Sequence, residues 1–498
     1  MQAHRILLVL WKDMGQMDIE SSAYLCYNSN VFLKIFRRKG TKVEGRKMNK
    51  SYEIDMCNGP IFGKVLKFAL PLMLSGVLQL LFNAADIIVV GRFAGSQSLA
   101  AVGSTSALIN LLINIFIGLS VGANVVVAKA YGARNQRDIS RAVHTALTLS
   151  IISGLILIVV GVASARVLLE LMGTPDDVLD KAVLYMRIYF AGMPVVMVYN
   201  FGSAILRAVG DTRRPLYFLL LAGMVNVVLN LFFVIVLHMD VAGVALATVI
   251  SQCISAGLIL WSLKKSRGGM KLYFRLLRIH KNEMIQIFRI GLPAGMQGAV
   301  FSISNVLIQS SVNSFGSIAM AGNTAASNIE GFVYTAMNAL YQTNLSFTSQ
   351  NVGGGKYSRI NKILLICVGT VTVVGLVLGL GAYAGGSILL HIYSSDPEVI
   401  QYGLLRMSII CTTYFLCGIM DTLVGSLRGL GYSVMPMIVS LTGACAFRVL
   451  WIFTVFAIDR SLTVLYISYP VSWLITAAAH GICFYMIRKK YPREDVAV

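Results

Sequence analysis

Twelve apolar runs of membrane-spanning length follow one another along the chain, at about 62–91, 98–128, 142–172, 182–206, 216–237, 242–263, 285–314, 323–350, 363–390, 399–427, 436–457 and 463–487. A bilayer core roughly 30 Å thick needs about 20 such residues per helix. Inside lipid every backbone amide must find its partner within the protein, which leaves helices as the structure for runs of this kind. The expectation is an all-α integral membrane protein with twelve transmembrane helices. Composition agrees: 498 residues, 56% hydrophobic and 13% charged, are too apolar for a soluble domain.

The net charge of +20 does not form one basic face of the kind that binds nucleic acid. It comes in short clusters: the N-terminal stretch, Lys129 with Arg134, Arg137 and Arg141, Arg213 with Arg214, the linker "KKSRGGMKLYFRLLRIHK", Lys356 with Arg359 and Lys362, Arg428, and Arg488 to Lys490. The alternate loops carry "TPDD", "HMD" and "SSDPE". By the positive-inside rule both termini are expected in the cytoplasm and the protein in the cell (plasma or inner) membrane. Eight cysteines show no CxxC pairing and read as small packing residues. No GxxxxGK[ST], HExxH or GxSxG motif points to an enzyme, and no cofactor is expected.

The chain also repeats itself. "FALPLMLSG" returns as "IGLPAGMQG", pairing Pro71 with Pro293; "YGARNQR" returns as "VGGGKYS"; "LRAVGDTRRP" returns as "LRGLGYSVMP", pairing Arg207 with Arg428. Six helices per copy make the second copy enter the membrane in the same direction as the first. The two lobes are then related by a pseudo-two-fold axis along the membrane normal, with a cavity between them. The expected divisions are an N-terminal cytoplasmic extension 1–60, a first lobe 61–265, a basic linker 266–284, a second lobe 285–487 and a tail 488–498. Organised sequence starts near Met48, so residues 1–47 are expected to lie upstream of the natural start. A monomer in the bilayer is the default.

Charged and polar groups inside the spans are the candidate site. With about 1.5 Å of rise per residue, Asp86 lies roughly 9 Å below Arg92 and Thr248 roughly 12 Å below Asp240, the depth also reached by Asn226 and Asn230. Asn226 and Asn230 share one helix face. One carboxylate with several neutral oxygens suits a carboxyl that takes up H⁺ or a weakly held Na⁺; the alternative for the polar trio is hydrogen bonding between helices. In the second lobe the candidates are Glu330, Arg448, Asp421 and Asn305. Glu330 and Arg448 lie at similar depth and are expected to pair, as a neutralised core or as part of transport. Pro71 and Pro293 interrupt their helices at matched places and read as bending points or fixed kinks.

The stretches "LPLMLSGVLQLLFNAADIIVVGRFAG", "AILRAVGDTRRPLY", "NVVLNLFF", "VAGVALATVISQ" and "QNVGGGKYSRI" resemble the multidrug and toxic compound extrusion (MATE) family, in its DinF-like branch, from about Met48 to the end. The resemblance implies an antiporter, coupled to H⁺ or Na⁺, that expels small organic compounds, often cationic and amphiphilic, by alternating access between two six-helix bundles. It implies that Asp86 binds the coupling ion, that Asn226 and Thr248 attend it, and that Pro71 bends the first helix as the site fills. Asn230 departs from the pattern, since many relatives carry Asp there. Asp421 matches an acid of some relatives, and the seventh-helix acid of others falls on Asn305. The alternatives are a flippase for lipid-linked saccharides, of the same wider fold, and a membrane receptor or scaffold without turnover.

Overall fold

The computed structural model describes residues 52–496; the expected start at Met48 and most of the N-terminal extension lie outside the described residues. Among those residues there are helices and no strands. The first half runs α1 (Ile61–Phe93), α2 (Ser96–Gly132), α3 (Gln136–Leu171), α4 (Asp176–Ala191), α5 (Met193–Ala208), α6 (Arg213–Leu231), continued by a π-helical turn Phe232–Val236, and α7 (Asp240–Lys265). The second runs α8 (Lys281–Asn313), α9 (Ser317–Gly353), α10 (Ser358–Ala384), α11 (Gly386–His391), α12 (Pro397–Thr413), α13 (Phe415–Leu430), α14 (Val434–Ser440), α15 (Phe447–Phe453), α16 (Val455–Ile458) and α17 (Leu462–Arg488).

Nine described helices are long and apolar enough to span a membrane, and two bent pairs, α4 with α5 at 49° and α12 with α13 at 44°, bring the number to eleven. The expected twelfth span is α9. At 37 residues it is long enough, but "SNIEGFVYTAMNALYQTNLSFTSQN" is too rich in amides and hydroxyls to pass on apolarity. Those groups are buried: Asn323, Glu330, Thr343, Asn344, Gln350 and Asn351 all face protein. The outward faces are apolar instead, with Val228, Val373 and Ile458 among the exposed side chains, as a lipid-facing belt requires.

The duplication is visible in the turns. Gly95 and Gly316 open α2 and α9 with φ of 87° and 95°, and Gly210 and Gly431 close α5 and α13 with φ of 94° and 107°. In each case the left-handed backbone that glycine tolerates recurs at the equivalent place. The two bends also fall at matched positions, Gly192 and Tyr414.

The halves meet through glycine, at the end that carries the first and last described residues and again further along the same helices. A Cβ on Gly132 would stand 2.0 Å from the Gln350 carbonyl oxygen, one on Gly353 2.0 Å from that of Lys129, and one on Gly118 2.2 Å from the Gly295 nitrogen. This close approach is held by polar bonds: Lys129 Nζ donates to the Leu430 carbonyl (3.2 Å), Gln350 Nε2 to that of Ala208 (2.6 Å) and Ser346 Oγ to Asn124 Oδ1 (3.1 Å). The C-terminal tail folds back over the same end, where Tyr491 Oη donates to the Leu430 carbonyl at 2.7 Å.

Candidate functional site

Asp86, Asn226, Asn230 and Thr248 come together. α1 carries the acid, α6 both amides on one face and α7 the threonine. Asn230 Nδ2 donates to Asp86 Oδ1 and also lies 3.3 Å from Asn226 Oδ1. Asn226 Nδ2 donates to Thr248 Oγ1 at 3.4 Å, and Thr248 Oγ1 donates to the Val244 carbonyl at 3.0 Å, its own helix. Of these donors only Asn230 reaches the carboxylate; the rest of the chain runs from Asn230 through Asn226 and Thr248 to the Val244 carbonyl. Asp86 forms no ion pair with any described Lys or Arg. Asn230 Oδ1 is buried with no hydrogen-bond partner.

Asp86, Asn226 and Thr248 line a cavity of about 50 Å³ that also touches Gln79, Asn83, Ser251 and Gln252. A water takes roughly 30 Å³ of liquid volume, so one or two small species fit. Gln79 and Asn83 were open to sequence reasoning, since they lie seven and three residues before Asp86 on its own helix, close to its face. A second acid of the first half, Asp211 in the turn before α6, is 0% exposed, accepts from the backbone N–H of Arg213 and Arg214, and lies 3.2 Å from the Arg214 guanidinium. It is a helix-start anchor outside the spans.

In the second half the expected Glu330–Arg448 pair does not form. Glu330 is held instead by Arg406 of α12, in a two-pronged ion pair with Nε to Oε1 at 2.9 Å and Nη2 to Oε2 at 2.7 Å. Arg406 Nη1 also donates to Asn323 Oδ1 (2.7 Å), which Tyr466 Oη shares (3.1 Å). Depth alone misassigned the partner, because depth fixes height in the membrane and not which way around its helix a side chain points. Arg406, a lone cation in "GLLRMSII", was the overlooked signal. Arg448 packs its guanidinium flat on Tyr469, 4.2 Å from ring centre, and donates Nε to Ser472 Oγ at 2.8 Å.

Arg448, Asp421, Arg428 and Asn305 line a second cavity of about 500 Å³, walled by Tyr334, Tyr341, Tyr414, Tyr469 and Trp473. That volume is drug-sized. The glycine contacts at Gly118 and Gly132 close the molecule below it. Pro71 and Pro293 sit within helices that run unbroken through them, and Ser75 Oγ donates to the Pro71 carbonyl at 2.8 Å. Among the described residues no cluster of three or more His, Cys, Asp and Glu could hold a metal.

A duplicated bundle of spanning helices with a small acid pocket in one half and a drug-sized polar cavity in the other is the architecture of a membrane transporter and not of an enzyme. Comparison with known proteins names the family: the MatE family model matches residues 71–232 and 293–454, beginning each copy on Pro71 and Pro293, and the chain belongs to this family of multidrug efflux transporters. It is 28% identical over 381 residues to the probable multidrug resistance protein YoeA of Bacillus subtilis, covering 75% of this chain and 82% of that one. It is 24% identical over 352 residues to a FAD transporter of Shewanella oneidensis, covering 70% and 77%. The outward-facing conformation of a multidrug resistance MATE family transporter of the MOP superfamily superposes with a TM-score of 0.82 at 21% identity, over 89% of this chain and 99% of that one; at that identity the likeness is of fold.

Proposed function

We propose that this chain is an antiporter driven by H⁺ or Na⁺ that exports small organic compounds by alternating access, with Asp86 as the coupling group. The observation that carries the reading is an acid within a spanning helix that has no cationic partner among the described residues and lines a cavity the size of one or two waters together with the amides and hydroxyls of Gln79, Asn83, Asn226 and Thr248. Burying a lone carboxylate is costly, and an intramembrane acid is functional by default.

The chemistry follows from the amide. With Nδ2 turned to Asp86, Asn230 stabilises the ionised acid and leaves its own Oδ1 without a partner. When Asp86 takes up H⁺ or Na⁺, the same amide turned over offers Oδ1 as acceptor or ligand, with Asn226 and Thr248 following. Occupancy then shifts the balance between two packings of α1, α6 and α7, which is the differential interaction that coupling needs. Pro71 and Pro293 serve as the matched bending points. Parting the glycine contacts at the terminus-bearing end, placed in the cytoplasm, gives the alternate opening. The lobes act as units 61–265 and 285–487, joined by the linker 266–284, in a monomer. The relatives' names range from multidrug resistance to FAD transport, which supports a broad organic substrate range.

Vesicles containing the protein test this, loaded with ethidium or with fluorescein, with H⁺ and Na⁺ gradients imposed separately. The expected outcome is dye movement under one gradient that Asp86→Asn reduces to background. Gradient-driven movement that persists in Asp86→Asn removes the acid from the mechanism.

A further inference from the structure

The charges around the 500 Å³ cavity do not balance. Two guanidiniums, Arg428 and Arg448, line it against one carboxylate, Asp421, and neither is within ion-pair distance of Asp421 or of any described acid. The neighbouring Glu330 is already neutralised by Arg406. Arg448 is 3% exposed and its Nη2 has no hydrogen-bond partner; Arg428 is 6% exposed and its Nε has none. The other arms are fixed: Arg428 Nη1 donates to Tyr341 Oη at 2.7 Å and Nη2 to Gln297 Oε1 at 2.8 Å, and Arg448 Nε is held by Ser472. Aromatic rings make up much of the remaining wall, with Tyr414 stacked on Trp473 at 5.3 Å between centres.

From this geometry we infer that the cavity takes flat aromatic compounds bearing an anionic group, a carboxylate or phosphate, in place of the organic cations that the family resemblance implies. Two guanidinium charges against one carboxylate in a buried wall favour an anion such as a carboxylate or phosphate. Rings held by Tyr and Trp faces suit a planar scaffold of the volume available. The anion sits toward Arg448 and Arg428, and the ring lies against Tyr414, Tyr469 and Trp473. This assignment rests on the transport reading only for taking this cavity as the substrate's.

Two dyes on the same xanthene ring test it: anionic fluorescein and the cationic tetramethylrhodamine methyl ester. Binding to the purified full chain in detergent is followed by fluorescence anisotropy, with protein-free micelles subtracted. The expected result is fluorescein binding at least tenfold tighter than the cation, weakened about tenfold or more by Arg448→Gln and by Arg428→Gln, the loss expected of one charge-assisted contact. Arg448→Lys keeps the charge and should retain most of the fluorescein affinity that Arg448→Gln loses. Equal or tighter binding of the rhodamine ester, no fluorescein binding up to about 1 mM, or fluorescein affinity unmoved in folded Arg448→Gln overturns the assignment. The dye comparison needs no variant, so a misfolded mutant does not rescue it. Binding needs no gradient: tight fluorescein binding without gradient-driven movement sinks the transport reading and keeps the anion site, whereas driven movement with preference for the cation does the reverse.

Discussion

The two halves of the molecule agree in backbone and part in charge. Their prolines, their left-handed glycines and their bent spans fall at matched positions. The first half then holds Asp86, without an ion-pair partner, beside a cavity of about 50 Å³, while the second holds the guanidiniums of Arg428 and Arg448 with the acid Asp421 around about 500 Å³ and, apart from that wall, the Glu330–Arg406 pair. Duplication preserved the features that let two bundles pack and hinge. Divergence separated the chemistry, leaving a lone acid in one half and most of the cationic, aromatic-walled cavity in the other.

The largest effect should come from breaking the Glu330–Arg406 pair. Arg406→Met leaves Glu330 buried without its cation, which costs about 3–5 kcal/mol, enough to strip most of the stability from a marginal membrane protein. Thermal unfolding in detergent reads this, and the double variant Glu330→Leu with Arg406→Met should recover most of it. Asp86→Asn should change stability by less than about 1 kcal/mol, because it trades an unpaired acid for an isosteric amide. If Arg406→Met proves as mild as Asp86→Asn, the contrast between a structural pair in one half and a free acid in the other collapses.

A second, smaller effect tests the symmetric part. Gly132→Val and Gly353→Val each drive a side chain into the backbone of the opposite half, since even a Cβ would stand 2.0 Å from a carbonyl oxygen there. Overpacking of this kind costs about 1–3 kcal/mol against the closed arrangement. Cys57, whose Sγ lies 3.5 Å from the Gln350 carbonyl, reports on that closure. Burial, with the Asp55 carboxylate adding to it, pushes its thiol up to about 11. The sign follows: a raised thiol yields little thiolate at pH 8, and maleimide labelling climbs with pH through 11. Opening the closure should return the thiol toward its ordinary value of about 8.5 and speed labelling at pH 8 by up to about a hundredfold. With Cys26 and Cys253 replaced by Ser, both variants should do this equally; a response from one alone would break the symmetry of the closing contacts.

What was legible in the sequence follows the same division. The spans, the duplication and the Asp86 cluster depended on spacing along single helices, where Asn226 and Asn230 four apart must share a face and depth can be counted from the helix ends. The Glu330 partner depended on rotation about neighbouring helices 76 residues apart in sequence, and no spacing rule carries that. The bends at Gly192 and Tyr414 were equally hidden, since a glycine or tyrosine in an apolar run does not announce a break of 49° or 44°. The polarity of α9 was present in the letters, but its meaning appears only when its amides and hydroxyls are found facing the first half, as Gln350 and Ser346 do.

The finest test concerns Asn230, the amide that donates to Asp86. Asn230→Asp places a second carboxyl within hydrogen-bonding reach of Asp86, where the amide now donates. Two acids this close do not both stay ionised in a spanning helix; one holds a proton or the pair shares a cation. The variant should therefore bind Na⁺ more strongly, because a charged ligand replaces a neutral one beside the same cavity. We expect the Na⁺ concentration that half-saturates gradient-driven transport to fall by about tenfold, the equivalent of about 1.4 kcal/mol. A protein that runs on H⁺ alone would instead show transport shifted to higher pH with Na⁺ still without effect, since the shared proton is then held more tightly. No change in either would mean that Asn230 does not act on Asp86, and the division of labour between the halves would have to be rebuilt around Asp421.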